Sequence, residues 1–87
     1  MNTYDEWLVA VTQNGWALRY VPEELRDKEL YLAAVKQYGG ALRWVPVELM
    51  DKEICLAAVK QYGGALSWVP EKLKAYVSYM ISIRDLI

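Results

Sequence analysis

A 24-residue period constrains this chain more than any other feature, because a sequence that repeats at that spacing must pack one unit against the next. Gly15, Gly39 and Gly63 are 24 residues apart, as are Pro22, Pro46 and Pro70, and Tyr20, Trp44 and Trp68. Residues 27–50 and 51–74 are identical at 18 of 24 positions, and residues 3–26 match residues 27–50 at 12 of 24. A fourth unit starts at residue 75 and stops at 87, where its glycine would fall. The chain therefore reads as a single domain over 1–87, with repeat units 3–26, 27–50 and 51–74, a terminal half unit 75–87, and no linker between them.

Each unit carries its own helix signals. Asp27 and Asp51 stand directly before an apolar-periodic run, where an N-cap accepts from orphan backbone N–H groups. Thr3 holds the same place in the first unit, and Glu6 three residues later completes a capping box. The run from Asp27 to Tyr38 is rich in Leu, Ala, Glu, Lys and Gln, which are good helix formers. Gly39, Gly63 and Gly15 follow at the place where a left-handed residue closes a helix. The next residue is Gly40, Gly64 or Trp16, so only the first glycine reads as required by backbone geometry. A short second helix is expected over 41–45 and its equivalents. It stops there because Pro46 disfavours helical geometry at Val45, as Pro22 and Pro70 do at Val21 and Val69. Proline then opens a Pro-x-x-Leu turn, with Leu25, Leu49 and Leu73 expected to bury.

At about 100° per residue, Leu30, Tyr31, Ala34, Val35 and Tyr38 share one helix face. Leu32 lies away from them, yet Leu8, Leu32, Leu56 and Met80 keep an apolar residue there in every unit. A helix with two apolar regions packs on two sides, as stacked repeats require. Glu29 and Lys36 mark the solvent side, as do Glu53 and Lys60, and Ala33, Ala34, Ala57 and Ala58 let helices approach closely. In the last segment Tyr76, Tyr79, Met80, Ile83 and Ile87 fall at helical spacing. The β-branched and aromatic content there also suits a strand; the repeat register favours a closing helix. The expected fold class is all-α: a short, solenoid-like helical-repeat domain of three 24-residue two-helix units plus a C-terminal closing helix.

The pattern D-K-E-x-x-L-A-A-V-K-Q-x-G-x-A-L-x-x-V-P-x-x-L resembles a bacterial tandem-repeat family, domain-of-unknown-function family 4116. It is nearly whole in residues 27–50 and 51–74, and in 3–26 the first helix diverges. The resemblance implies a helical repeat in a bacterial or mobile-element protein. It implies no activity and carries over no catalytic residues.

Composition removes several function classes. Hydrophobic residues at 55% and charged residues at 24% argue against disorder. No run approaches the roughly 20 apolar residues of a membrane-spanning helix. The polar, acidic start from Met1 to Glu6 does not read as a secretory signal. Cys55 is the only cysteine, so no disulfide can form within the chain. Cytoplasmic localisation is the simplest expectation, and Cys55 reads as a small apolar filler. There is no His, which removes Ser-His and Cys-His pairs, and without His or paired Cys no zinc site is expected. The carboxylates Asp27, Glu29, Asp51 and Glu53 read as caps and helix N-terminal charges rather than as an acid–base pair. No enzyme, no cofactor, no metal and no catalytic residue is expected.

The expected function is binding of another protein. This class includes small inhibitors from bacterial mobile elements. Eleven of 87 residues are Trp or Tyr, types enriched at interfaces. The candidate partner-binding residues are Trp16, Arg19, Tyr38, Arg43 and Tyr62. Trp16 replaces a glycine, Asn14 replaces the tyrosine, and Ser67 replaces the arginine, which marks these positions as tolerant and exposed. Tyr20, Trp44 and Trp68 recur in every unit and read as structural. Candidate self-association residues are Tyr76, Val77, Ile81 and Ile87 on the apolar last helix, which would make a homo-oligomer. The rival class is nucleic-acid binding through Arg19, Arg43, Lys28, Lys36, Lys52 and Lys60, with aromatic stacking on bases. A net charge of −1 counts against that reading.

Overall fold

A computed structural model describes residues 3–84, with the side chains of 3–83. Four α-helices lie in it: α1 (Tyr4–Gln13), α2 (Lys28–Gln37), α3 (Lys52–Gln61) and α4 (Glu71–Arg84). Six-residue 3₁₀ helices follow the first three, at Gly15–Tyr20, Gly39–Trp44 and Gly63–Trp68. Single 3₁₀ turns at Glu23–Leu25 and Val47–Leu49 carry the Pro-x-x-Leu sequences. The described residues contain no strand, so the all-α class holds.

The caps lie where the sequence places them. The Thr3 hydroxyl accepts from Glu6 N–H at 3.2 Å while the Glu6 carboxylate accepts from Thr3 N–H at 3.2 Å. Asp27 accepts from Leu30 N–H at 2.9 Å, and Asp51 from Ile54 N–H at 2.8 Å. A neutral-to-charged bond of this kind is worth about 1 kcal/mol per helix.

The helices build two layers. α1 to α4 lie side by side, and each six-residue 3₁₀ helix packs on its own α-helix. The first two 3₁₀ helices also pack on the next α-helix and on the next 3₁₀ helix. The core runs between the layers. Leu30, Tyr31, Ala34 and Val35 of α2 are buried, as are Ile54, Cys55, Ala58 and Val59 of α3. Leu18 and Leu42 of the 3₁₀ layer have no exposed surface. The result is elongated, 42 × 25 × 17 Å, with a radius of gyration of 12.9 Å against about 12 Å for a globule of this length.

The glycines serve a different purpose from the one expected. No glycine has positive φ. The α-helices end instead on Asn14, Tyr38 and Tyr62 in extended conformation, with φ of −152°, −145° and −148°. Gly15, Gly39 and Gly63 then begin the 3₁₀ helices. What excludes a side chain is the next unit. A Cβ on Gly15 would lie 2.6 Å from the Ala34 carbonyl oxygen and 2.7 Å from Tyr38 Cβ. Gly39 meets the Ala58 carbonyl and Tyr62 in the same way. The second glycine is also constrained, because the Tyr38 ring lies over Gly40 and the Tyr62 ring over Gly64, each 2.5 Å from where a Cβ would be. Asn14 has no ring to place there, and its unit can carry Trp16.

Polar contacts join neighbouring units at equivalent positions. Gly15 N–H donates to the Gln37 side chain at 2.6 Å, and Gly39 N–H donates to Gln61. Tyr4 donates to Asp27 at 2.9 Å and to Glu29 at 3.3 Å. Lys28, one unit on, pairs with Asp51 at 3.0 Å and Glu53 at 2.8 Å, and Lys52 lies 4.6 Å over the Tyr76 ring.

α4 departs from the repeat. It starts at Glu71 rather than at the half-unit boundary, because Ala75 stands where Asp27 and Asp51 cap the earlier helices, and alanine continues a helix. Leu73, Tyr76, Val77 and Ile81, at i, i+3, i+4 and i+8, pack on the core, and Val77 is fully buried. Of the expected stripe, Tyr76 packs against the core, while Met80 and Ile83 are half-buried. Ser78 replaces the buried Leu30 and Ile54 and is exposed, and Tyr79 is 64% exposed. Two smaller corrections concern leucines. Leu49 is 52% exposed, while Leu25 and Leu73 are half-buried. Leu8, Leu32 and Leu56 are half-buried and line open grooves rather than being enclosed on two sides.

Candidate functional site

Three of the five candidate residues meet in one cluster on the 3₁₀ layer, and a fourth joins it through Trp44. Each unit contributes to it from two places, the residues at the α-helix end and those at the end of the following 3₁₀ helix. The Trp16 and Tyr38 rings stack with centroids 5.2 Å apart and planes 11° apart. Trp44 meets Trp16 edge-on at 5.4 Å and Tyr38 at 6.4 Å. The Arg43 guanidinium lies 5.3 Å from the Trp16 ring, 4.9 Å from Trp44 and 5.4 Å from Trp68, and donates to the Tyr38 hydroxyl at 2.9 Å. Arg19 lies 5.4 Å over Tyr20 and 5.8 Å over Trp44. Tyr62 adds the far wall of a shallow pocket with Tyr38, Arg43, Gln61 and Trp68.

The repeat explains this ladder. Arg43 and Arg19 hold equivalent positions, so each reaches rings of its own and a neighbouring unit. Trp16 fits because Asn14 sets no ring over its position, whereas the Tyr38 and Tyr62 rings lie over Gly40 and Gly64. Such rings and guanidiniums attract through the ring quadrupole, at about 0.5–1 kcal/mol per exposed contact, which holds the side chains in one arrangement. Trp16 is 43% exposed and Tyr62 49%; Arg19 and Arg43 are exposed and Tyr38 half-buried. Neither arginine pairs with a carboxylate among the described residues. The rings that recur in every unit divide: Trp44 and Trp68 are half-buried, but Tyr20 is 67% exposed and belongs to the surface.

The self-association candidates do not form one exposed patch. Val77 is core, Tyr76 and Ile81 are half-buried, and Ile87 lies outside the described residues. The lysines of the nucleic-acid reading are scattered. Lys28 is held by Glu53 and Asp51, which raise its pKa. Lys52 covers Tyr76, and Lys36 and Lys60 line grooves between α-helices.

Two such grooves were not foreseen from sequence. One, between α1 and α2, is lined by Leu8, Thr12, Leu32 and Ala33, with Lys28, Glu29, Lys36 and Gln37 at its rim. The other, between α2 and α3, is lined by Leu56 and Ala57, with Lys36, Glu53, Lys60 and Gln61. The adjacent Leu–Ala pair common to both grooves, Leu32–Ala33 and Leu56–Ala57, is the sequence signal for them. Charges of both signs rim these grooves, whereas the aromatic ladder carries the guanidiniums of Arg19 and Arg43, which pair with no carboxylate among the described residues.

The titratable groups stand in structural positions. Burial raises the Asp51 carboxyl, but the Ile54 N–H and Lys28 outweigh it and the net shift is downward. Burial, with Asp27 and Glu29 beside it, pushes the Tyr4 phenol up. Burial, with Asp51 nearby, pushes the Cys55 thiol up to about 11. Cys55 and Met50 replace Tyr31 and Arg26, an apolar pair in place of a polar one. Among the described residues, no three His, Cys, Asp or Glu side chains gather to hold a metal ion, and no helix is long and apolar enough to cross a membrane.

The family model described as "Domain of unknown function (DUF4116)" matches residues 7–50 and again residues 27–74. No curated protein and no solved structure matches the chain.

Proposed function

This chain belongs to the DUF4116 family, and we propose that it is a non-catalytic binding module whose aromatic–arginine ladder takes an acidic surface of another protein. The supporting observation is the contiguity of Trp16, Tyr38, Trp44 and Arg43, held by ring stacking and guanidinium–ring contacts. Trp, Tyr and Arg are the residue types that dominate binding energy at protein interfaces. Rings already fixed against one another lose little conformational freedom on binding. Among the described residues Arg19 and Arg43 pair with no carboxylate, which suits an acidic complementary surface. A small inhibitor that covers a partner's active site belongs to this class. Single-stranded nucleic acid suits the ladder less well, because Trp16 and Tyr38 already use a ring face on each other and the lysines are elsewhere.

The test is affinity capture from the native host with the wild-type chain and with Arg43→Ser. Serine stands at the equivalent Ser67, so the variant copies a side chain that the repeat already accepts. The proposal expects a protein retained by the wild type and lost by Arg43→Ser. Capture of only nucleic acid, or of the same protein by both chains, overturns it.

A further inference from the structure

The outer face of the α layer carries an apolar strip between two rows of opposite charge. At about 100° per residue, Glu29, Leu32 and Lys36 of α2 fall on one side, opposite the buried Leu30, Tyr31, Ala34 and Val35. Glu53, Leu56 and Lys60 of α3 repeat the set one unit on. Leu32 lines the groove between α1 and α2, Leu56 lines the groove between α2 and α3, and Lys36 lines both. Both leucines are half-buried, with the small Ala33 and Ala57 beside them.

The two rows are not neutralised within the chain. At the N-terminal ends of the helices Lys28 alone answers Asp51 at 3.0 Å and Glu53 at 2.8 Å. Glu29 accepts from the neutral Tyr4 phenol at 3.3 Å and pairs with no cation among the described residues. At the C-terminal ends Lys36 and Lys60 are exposed and pair with no carboxylate among the described residues. Glu29 and Lys36 are seven residues apart, which is about 10 Å along a helix. A partner of a single charge sign would be repelled by one row or the other. A second copy, turned over about an axis that runs along the stack and across the helices, lays its acidic row on the basic row of the first. The apolar strips then meet, and the facing α-helices run antiparallel. We infer that this face pairs with itself in a two-fold dimer, with Glu29 of one copy against Lys36 of the other and Glu53 against Lys60. Such contact is isologous, so it closes at two copies. The aromatic–arginine ladder lies on the other layer and stays free.

Sedimentation velocity from micromolar to millimolar concentration tests this with wild type, Glu29→Lys, Lys36→Glu and an equimolar mixture of the two variants. Both substitutions fall at exposed positions on the middle of the three stacked helices. The wild-type mass should rise with concentration to that of a dimer and stop there. Either variant alone sets like charges against each other, so its dimer should weaken about tenfold or more. The mixture should regain dimer, because the reversed rows complement one another, and that recovery also shows that both variants fold. A wild type that stays monomeric throughout overturns the inference and leaves the strip to a helix of another protein. Growth past the dimer overturns it too, as does association that neither substitution alters or a mixture that dimerises no better than its components.

Discussion

The same substitution at two equivalent glycines should have opposite effects. Alanine at Gly15 places Cβ 2.6 Å from the Ala34 carbonyl oxygen and 2.7 Å from Tyr38 Cβ, where ordinary contact starts at 3.4 Å. Closing that shortfall moves backbone of the next unit, since neither obstacle is the tip of a flexible side chain. Overpacking of this kind costs about 1–3 kcal/mol. At Gly63 nothing among the described residues stands in the way, and φ is not positive. Alanine there restricts the unfolded chain and stabilises by about 0.4–1 kcal/mol. That entropic gain is common to both sites, so the two variants should differ by about the overpacking cost of 1–3 kcal/mol. Urea unfolding at low protein concentration measures it, with an unchanged denaturant slope as the check that the unfolded state is comparable. Equal effects at Gly15 and Gly63 would refute the claim that the next unit, rather than backbone conformation, requires the repeat glycine.

Further outcomes follow from the same contacts. Asp51→Ala removes the cap on α3 and one carboxylate from Lys28, and should cost about 1 kcal/mol in thermal or urea unfolding. Gln37→Ala leaves the Gly15 N–H without its acceptor and should cost about 1–3 kcal/mol, with faster amide exchange at Gly15. The raised Cys55 pKa means that its stabilising contribution is complete below the unfolded thiol pKa and is lost as pH rises toward about 11. Cys55→Ala should therefore flatten the fall in stability through that alkaline window, and an unchanged slope would show that the thiol does not contribute.

Much of the fold is legible in the sequence because its signals are local. Thr3, Asp27 and Asp51 announce helix starts, and the spacing of Leu30, Tyr31, Ala34 and Val35 identifies the buried face. The glycines mislead because two causes produce the same pattern: a left-handed cap and a close approach both exclude a side chain, and only the three-dimensional neighbour distinguishes them. α4 departs from its repeat register for a related reason. Repeat register predicts a start near Ala75, but a missing cap lets the helix begin at Glu71, and Leu73 and Val77 then lead the buried face. For the ladder, tolerance at Trp16, Arg19, Arg43, Tyr38 and Tyr62 pointed to exposure. That Arg43 would bridge rings of three units depends on the stacking of the layers, which no single unit encodes. Tyr20 recurs as Trp44 and Trp68 do, yet is 67% exposed while they are half-buried, so recurrence alone does not mark packing.

The most direct measurement of the proposed binding role is the dissociation constant of the captured partner for Arg43→Ser against Lys60→Ser. Both remove one exposed cation, but Arg43 lies over Trp16, Trp44 and Trp68, whereas Lys60 lines a groove between α-helices. Loss of a central interface residue costs about 2 kcal/mol or more, which is a weakening of about thirtyfold. The account predicts that loss for Arg43→Ser and near-wild-type affinity for Lys60→Ser. Equal affinities for the two variants, or a larger loss at Lys60, would contradict it.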